Sequence, residues 1–151
     1  MAQETTGRRT LLAALLAGCA PTPQQQEMAL RPAAPVEQLR ALDSRRFDTT
    51  NQQLMLTAIV GVLQDLGFTI EETQTSLGIV VGSRIAAGRV RAQVSLLPAG
   101  SQSVTVRATF QRMVPRPGAM LPVGERISDA EVYRGFFDKL SQSIFLTAHD
   151  I

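Results

Sequence analysis

Between residues 89 and 111 the chain alternates apolar and polar side chains with a period of two, and no other feature restricts its fold so tightly. Val90, Ala92, Val94 and Leu96 interleave with Arg89, Arg91, Gln93 and Ser95. After a Pro98-Ala99-Gly100-Ser101 loop, Val104, Val106, Ala108 and Phe110 interleave with Thr105, Arg107, Thr109 and Gln111. Successive side chains on a strand point to opposite faces, so the pattern predicts antiparallel strands with one buried face and one wet face. The rest of the chain has to cover the buried one.

Two segments have the helical period needed to do so. Thr50 with Gln53 three residues later predicts a capping box. Behind it, Met55, Leu56, Ile59, Val62, Leu63 and Leu66 fall on one stripe, opposite Asn51, Thr57, Gln64 and Asp65, and Gly67 stands where such a helix ends. Ser128 with Glu131 predicts a second box. In the helix that follows, Val132, Tyr133, Phe136, Phe137, Leu140 and Ile144 share a stripe, with Glu131, Arg134, Asp138 and Gln142 opposite. Burying a large side chain contributes about 1.5 to 3 kcal/mol, so this aromatic stripe is expected to close the core. Phe145 projects off it, which implies a deformed helix end, packing on the N-terminal segment, or a partner contact.

The shorter elements complete the order. Arg46-Phe47-Asp48 predicts a strand, and residues 68–71 and 78–83 predict a hairpin around a turn at residues 73–76. Pro115, Pro117, Gly118, Pro122 and Gly124 predict an irregular surface connection. The order β-α-β-β-β-β-α predicts an α+β two-layer sandwich: one antiparallel sheet of about five strands with two helices on one face.

The N-terminal part reads differently. Arg8 and Arg9 precede an apolar run at residues 11–17 that is too short to span a bilayer, the pattern of a signal peptide over residues 1–18. Small residues at Ala17 and Gly18 leave a peptidase room before Cys19. Here the chain resembles bacterial lipoproteins, because Leu16-Ala17-Gly18-Cys19 matches their lipobox and Cys19 is the single cysteine. The resemblance implies that the Cys19 sulfur takes a diacylglycerol and that, after cleavage, the new amino terminus takes a further acyl chain such as palmitate. Stable anchoring takes two membrane signals, and three chains exceed that. The other reading of Cys19 is a free buried thiol at the end of an apolar helix. Ala20, where the family carries Asp for inner-membrane retention, implies the periplasmic leaflet of the outer membrane. Arg8-Arg9-Thr10-Leu11-Leu12 is similar to a twin-arginine export signal, and also reads as an ordinary basic n-region.

Residues 19–43 are expected to be the lipidated cysteine and a Pro- and Gln-rich tether, with a helical turn at residues 36–42. Pro-rich chain extends by about 3 Å per residue, giving a reach on the order of 50 Å. Such a tether serves either reach toward a partner or clearance from the membrane. Residues 44–151 then form the single α+β domain.

A second resemblance covers most of that domain. Arg45-Arg46-Phe47, Leu63-Gln64-Asp65-Leu66-Gly67-Phe68, Leu77-Gly78 and Tyr133-Arg134-Gly135-Phe136-Phe137-Asp138-Lys139-Leu140 resemble a family of small uncharacterised proteobacterial envelope lipoproteins. These are mainly core residues and caps, and the family brings no assigned activity. The architecture is also similar to the helix-grip accessory lipoproteins of the outer-membrane β-barrel assembly complex, an analogy of fold and location only.

The chemistry is sparse. Beyond the leader, thirteen Arg or Lys face twelve Asp or Glu, a balance that makes no case for nucleic acid. With one cysteine, disulfides and cysteine metal sites are excluded, and neither metal nor cofactor is expected. His149 is the single histidine and stands near the C-terminal end, so a catalytic triad has no suitable base. Glu71 and Glu72 are adjacent on a predicted strand and are expected on opposite faces, which bars an acid/base pair. Gly78 and Gly82 lack the turn of a phosphate cradle.

The wet sheet face remains. Arg89, Arg91 and Arg107 are expected to cluster there with Gln93, Thr105 and Thr109, while Glu71, with Arg84, neutralises part of the patch. Guanidinium forks suit carboxylate or phosphate. The face is either a docking site for an acidic protein surface, a lipid A phosphate or a peptidoglycan carboxylate, or a plain solvated surface. The expected protein is a non-enzymatic, lipid-anchored periplasmic subunit that docks on an envelope protein partner through Arg89, Arg91, Arg107 or Phe145. The alternative is a binder or carrier of an anionic envelope lipid or glycan.

Overall fold

The computed structural model describes residues 35–149. The expected signal peptide, Cys19 and most of the tether lie outside the described residues. The elements are α1 (Val36–Asp43), β1 (Ser44–Phe47), α2 (Gln52–Asp65), β2 (Thr69–Gln74), β3 (Ile79–Ala86), β4 (Gly88–Pro98), β5 (Val104–Val114), β6 (Val123–Arg126) and α3 (Ala130–His149), with a 3-10 turn at Thr75–Leu77. One antiparallel sheet runs β1-β5-β4-β3-β2, and the fold is α+β as the alternation requires. Two short strands share the outer edge of β5. β1 pairs residues 104–107 and β6 pairs residues 111–114.

The two long alternating strands form the centre, with Ala92 opposite Phe110 and Val94 opposite Ala108. Their apolar face carries Val90, Ala92, Val94, Leu96, Val106, Ala108 and Phe110, all buried beneath Met55, Ile59 and Leu63 of α2 and Tyr133, Phe136, Phe137 and Leu140 of α3. Phe110 is the hub of this interior. Its ring meets Tyr133 and Phe136 edge-on at 5.3 and 5.7 Å and Phe68 at 6.0 Å, the geometry that aromatic quadrupoles favour. The buried Tyr133 hydroxyl donates to the Ile127 carbonyl at 2.8 Å, so it adds area to the core without an unmet polar group.

The helix ends differ from expectation by one residue. Asn51, not Thr50, caps α2, its Oδ1 accepting the Leu54 N–H at 3.0 Å. Asp129, not Ser128, precedes α3 and accepts the Glu131 N–H through Oδ1. In both places a planar side-chain acceptor, one bond longer than the neighbouring hydroxyl, reaches a free amide of the first turn. The C-terminal end of α2 is as expected: Gly67 has φ +81°, with its N–H on the Gln64 carbonyl and the Phe68 N–H on the Leu63 carbonyl. That Schellman pair turns the chain directly into β2.

Three further departures matter for the surface. The helical turn expected at residues 36–42 is present as α1, but it is not tether alone, because its last residue Asp43 is buried. Residues 123–126, expected to be irregular, add strand β6 directly after Pro122, a position where a missing N–H costs no ladder bond. In β2 the register slips between Ile70 and Glu72, which makes Glu71 the extra residue of a bulge. A bulge breaks strict alternation, so the expectation that Glu71 and Glu72 face opposite sides is corrected.

Candidate functional site: the basic sheet face

Opposite the helices, the sheet presents the other half of each alternating strand, and register fixes its neighbours. Arg89 stands across from Met113, Arg91 from Gln111, Gln93 from Thr109 and Ser95 from Arg107. Arg91 and Arg107 are therefore four ladder positions apart, about 14 Å at the rise of an antiparallel strand. The three arginines do not form one cluster, and each has a different environment.

Arg107 belongs to a structural network. Its Nε donates to Ser44 Oγ at 3.2 Å and lies 3.6 Å from Asp43 Oδ1, while Arg126 Nη2 binds Asp43 Oδ2 at 3.0 Å. The buried Asp43 carboxylate thus ties the end of α1 to β5 and β6. Arg89 is also engaged. Its Nη2 donates to Glu71 Oε1 at 2.5 Å, and the Ser83 hydroxyl donates to the same oxygen at 2.6 Å. These contacts hold the Glu71 carboxyl below its ordinary value of 4.5, with the Ser83 hydrogen bond the larger cause and Arg89 the next. The bulge is what brings Glu71 to this position. Glu72, opposite Val81, lies on the same face and accepts from Gln74 Nε2.

Arg91 is the exception. It is exposed and acts on Glu71 through space, but no described residue makes a hydrogen bond or ion pair with it. The connection between β5 and β6 folds toward it. Leu121 and Pro122, with Met113, Glu71, Arg89 and Arg91, line a cleft of about 360 Å³. Met120 and Leu121 are fully and largely exposed on that connection, and Ile85 is exposed at the neighbouring β3–β4 turn. A guanidinium beside an apolar ledge can hold a carboxylate or phosphate while packing a hydrocarbon group next to it.

The remaining candidates lie elsewhere. Arg84, opposite Val90, faces the helix side rather than the basic face. Phe145 is exposed on α3, which packs on the other side of the sheet, so it is not brought together with the arginines. Met113, Leu121 and Pro122 had no signal in the sequence beyond a Pro-rich connection, because nothing local says over which face such a connection folds. Among the described residues no helix is long and apolar enough to cross a membrane, and no group of three or more His, Cys, Asp or Glu could hold a metal ion. No protein-family model matches the chain, and no curated protein matches its sequence.

Proposed function

We propose that the protein is a lipid-anchored, non-enzymatic docking subunit of a bacterial cell-envelope assembly, held at the outer membrane through Cys19. It presents the Arg91 end of its sheet to a partner that carries carboxylates. The observation that supports this most is Arg91 itself, an exposed cation without a hydrogen-bond or ion-pair partner among the described residues, set beside Met113, Leu121 and Pro122. Arg46, opposite Thr105, is a second exposed arginine of this face without such a partner, but it is not among the residues that line this cleft. Interfaces favour this combination of arginine and apolar area. The lipobox residues Leu16 to Cys19 supply the argument for the anchor.

A photo-crosslinking residue at position Arg91, with a control at Asp138 on the outer side of α3, tests the docking reading in cells. A discrete protein adduct from position 91 alone is the expected result. A lipid or glycan adduct replaces docking with carriage of an anionic envelope molecule, and equal diffuse labelling from both positions refutes both. The anchor is tested separately by Cys19→Ser. Loss of acyl label and of detergent-phase partitioning is expected, and retention in the detergent phase without label refutes it.

A further inference from the structure

Charge is unevenly placed over the described residues. Residues 84–91 and 111–126 together hold six arginines against one acidic residue, Glu125, whereas the rest hold six basic side chains against nine acidic ones. Strand register brings these two segments to one end of the sheet, because Ile85 is opposite Arg89, Arg89 opposite Met113 and Met113 opposite Gly124. Glu71 reaches this end from the β2 bulge but is committed to Arg89 and Ser83, and Glu125 stands across the ladder from Arg112. The side chains of Arg91 and Arg116 make no hydrogen bond or ion pair with a described residue.

Apolar side chains protrude at the same end. Of the seven large apolar residues exposed among the described ones, Ile85, Met120, Leu121 and Val123 stand on these two segments. Ile85 is 80% exposed and Met120 fully so. The connection that carries Met120 is shaped by its own turn, in which the Ala119 N–H donates to the Arg116 carbonyl at 3.1 Å across Pro117 and Gly118, the latter at φ +80°. Met120 is thus presented on a formed turn. A contiguous exposed apolar patch marks contact with either a protein or a membrane. Side chains that project from turn tips suit a fluid layer, which needs no matching pocket, and the excess of arginine is complementary to an anionic one.

We propose that this end of the sheet contacts an anionic phospholipid bilayer, placing Ile85 and Met120 at the boundary of the acyl chains and Arg112 and Arg116 at the phosphates. Apolar burial and attraction to anionic headgroups add in such a contact. The inference rests neither on the Cys19 anchor nor on docking at Arg91. Neither Ile85 nor Met120 lines the Arg91 cleft, so the two surfaces adjoin without sharing these side chains.

The test places an NBD fluorophore on a single new cysteine, Met120→Cys or Ile85→Cys, in the whole chain carrying Cys19→Ser, and adds vesicles of equal parts phosphatidylglycerol and phosphatidylcholine. A blue shift and quenching by spin-labelled lipid are expected at both positions. Leu77→Cys, exposed at the opposite end of the sheet, is expected to show neither. The label reports its own surroundings, so binding through residues 1–18 does not imitate the result. Arg116→Gln is expected to weaken the partitioning about fivefold with the circular dichroism spectrum kept, and phosphatidylcholine alone to bind at least about tenfold more weakly. Labels at positions 85 and 120 that stay in water, a Leu77→Cys label that enters equally, or equal partitioning onto phosphatidylcholine alone would each overturn the proposal. So would a discrete protein adduct, with no lipid adduct, from a photo-crosslinker placed at Met120 in cells. The vesicles hold no protein, so this result and the Arg91 docking test stand or fall separately.

Discussion

Asp43→Asn removes one charge while keeping the side-chain shape, at the point where α1 is fastened to the sheet. The Asp43 carboxylate is 5% exposed and accepts from Ser44 Oγ at 2.6 Å and Arg126 Nη2 at 3.0 Å, with Arg107 Nε at 3.6 Å. Hydrogen bonds to buried charges contribute about 1.5 to 3 kcal/mol each. The two arginine side chains are 41% and 31% exposed, however, so solvent screens much of their share. Asparagine also keeps part of the hydrogen bonding. The expected loss is about 2 kcal/mol, or roughly 8 °C in Tm for a domain of this size. Urea and thermal unfolding of the whole chain, followed by circular dichroism, measure it. Asp138→Asn is the control, since Asp138 pairs with Arg45 at 3.2 Å with both side chains well exposed, and its loss should stay below about 0.5 kcal/mol. A double-mutant cycle of Asp43→Asn with Arg126→Gln should give a coupling of about 1 kcal/mol. If Asp43→Asn costs no more than Asp138→Asn, or the coupling is nil, the fastening role of Asp43 is refuted.

Other expectations follow from the core and the bulge. Phe110→Ala, which empties the centre of the aromatic cluster, should cost about 4 kcal/mol in urea unfolding, and Phe110→Leu about 1.5, the difference reporting lost volume and ring contacts. Gly135→Ala should stabilise the domain by about 0.5 to 1 kcal/mol, because a methyl group there meets nothing and helix propensity rises; a destabilised variant would contradict the open space beside that residue. Glu71 should titrate by carboxyl NMR below 4.5, and Ser83→Ala should raise its midpoint toward that value. Because the folded-state pKa is depressed, the Ser83–Glu71–Arg89 contacts contribute stability that is present above the unfolded value and lost as pH falls through the folded one. The Ser83→Ala variant should therefore lose less stability than the parent on acidification below about pH 4.5.

Most of the core was legible from local pattern. Apolar positions repeat every two residues from Val90 to Phe110 and at helical spacing from Met55 to Leu66 and Val132 to Ile144, and each series reaches the interior. Elements below that length were harder. β6 contains only Val-Gly-Glu-Arg and follows a proline, so it has too few residues to show a period. It is a strand because the edge of β5 at residues 111–114 is open to it. Residues 36–43 carry Val36, Leu39 and Leu42 at helical spacing, so a helical turn was legible there, but its fastening to the sheet through Asp43, Arg107 and Arg126 depends on distant partners that no local rule reveals.

The candidate sites divide in the same way. That Arg89, Arg91 and Arg107 share a face was determined by the sequence, since an even spacing on one strand and the hairpin register leave no alternative. Which of them is available was decided by tertiary structure. The β2 bulge turns Glu71 to Arg89, the end of α1 delivers Asp43 to Arg107, and Arg91 is left beside the folded-back Leu121 and Pro122. Likewise the order of residues marks Arg84 as another strand arginine, but only tertiary packing brings its guanidinium to the Leu66 carbonyl and over the Phe68 ring. Periodicity is written locally because strand and helix geometry repeat every two or 3.6 residues. The pairing of a charge depends on which distant oxygen lies within about 4 Å of it, and that is set only when the whole chain has closed.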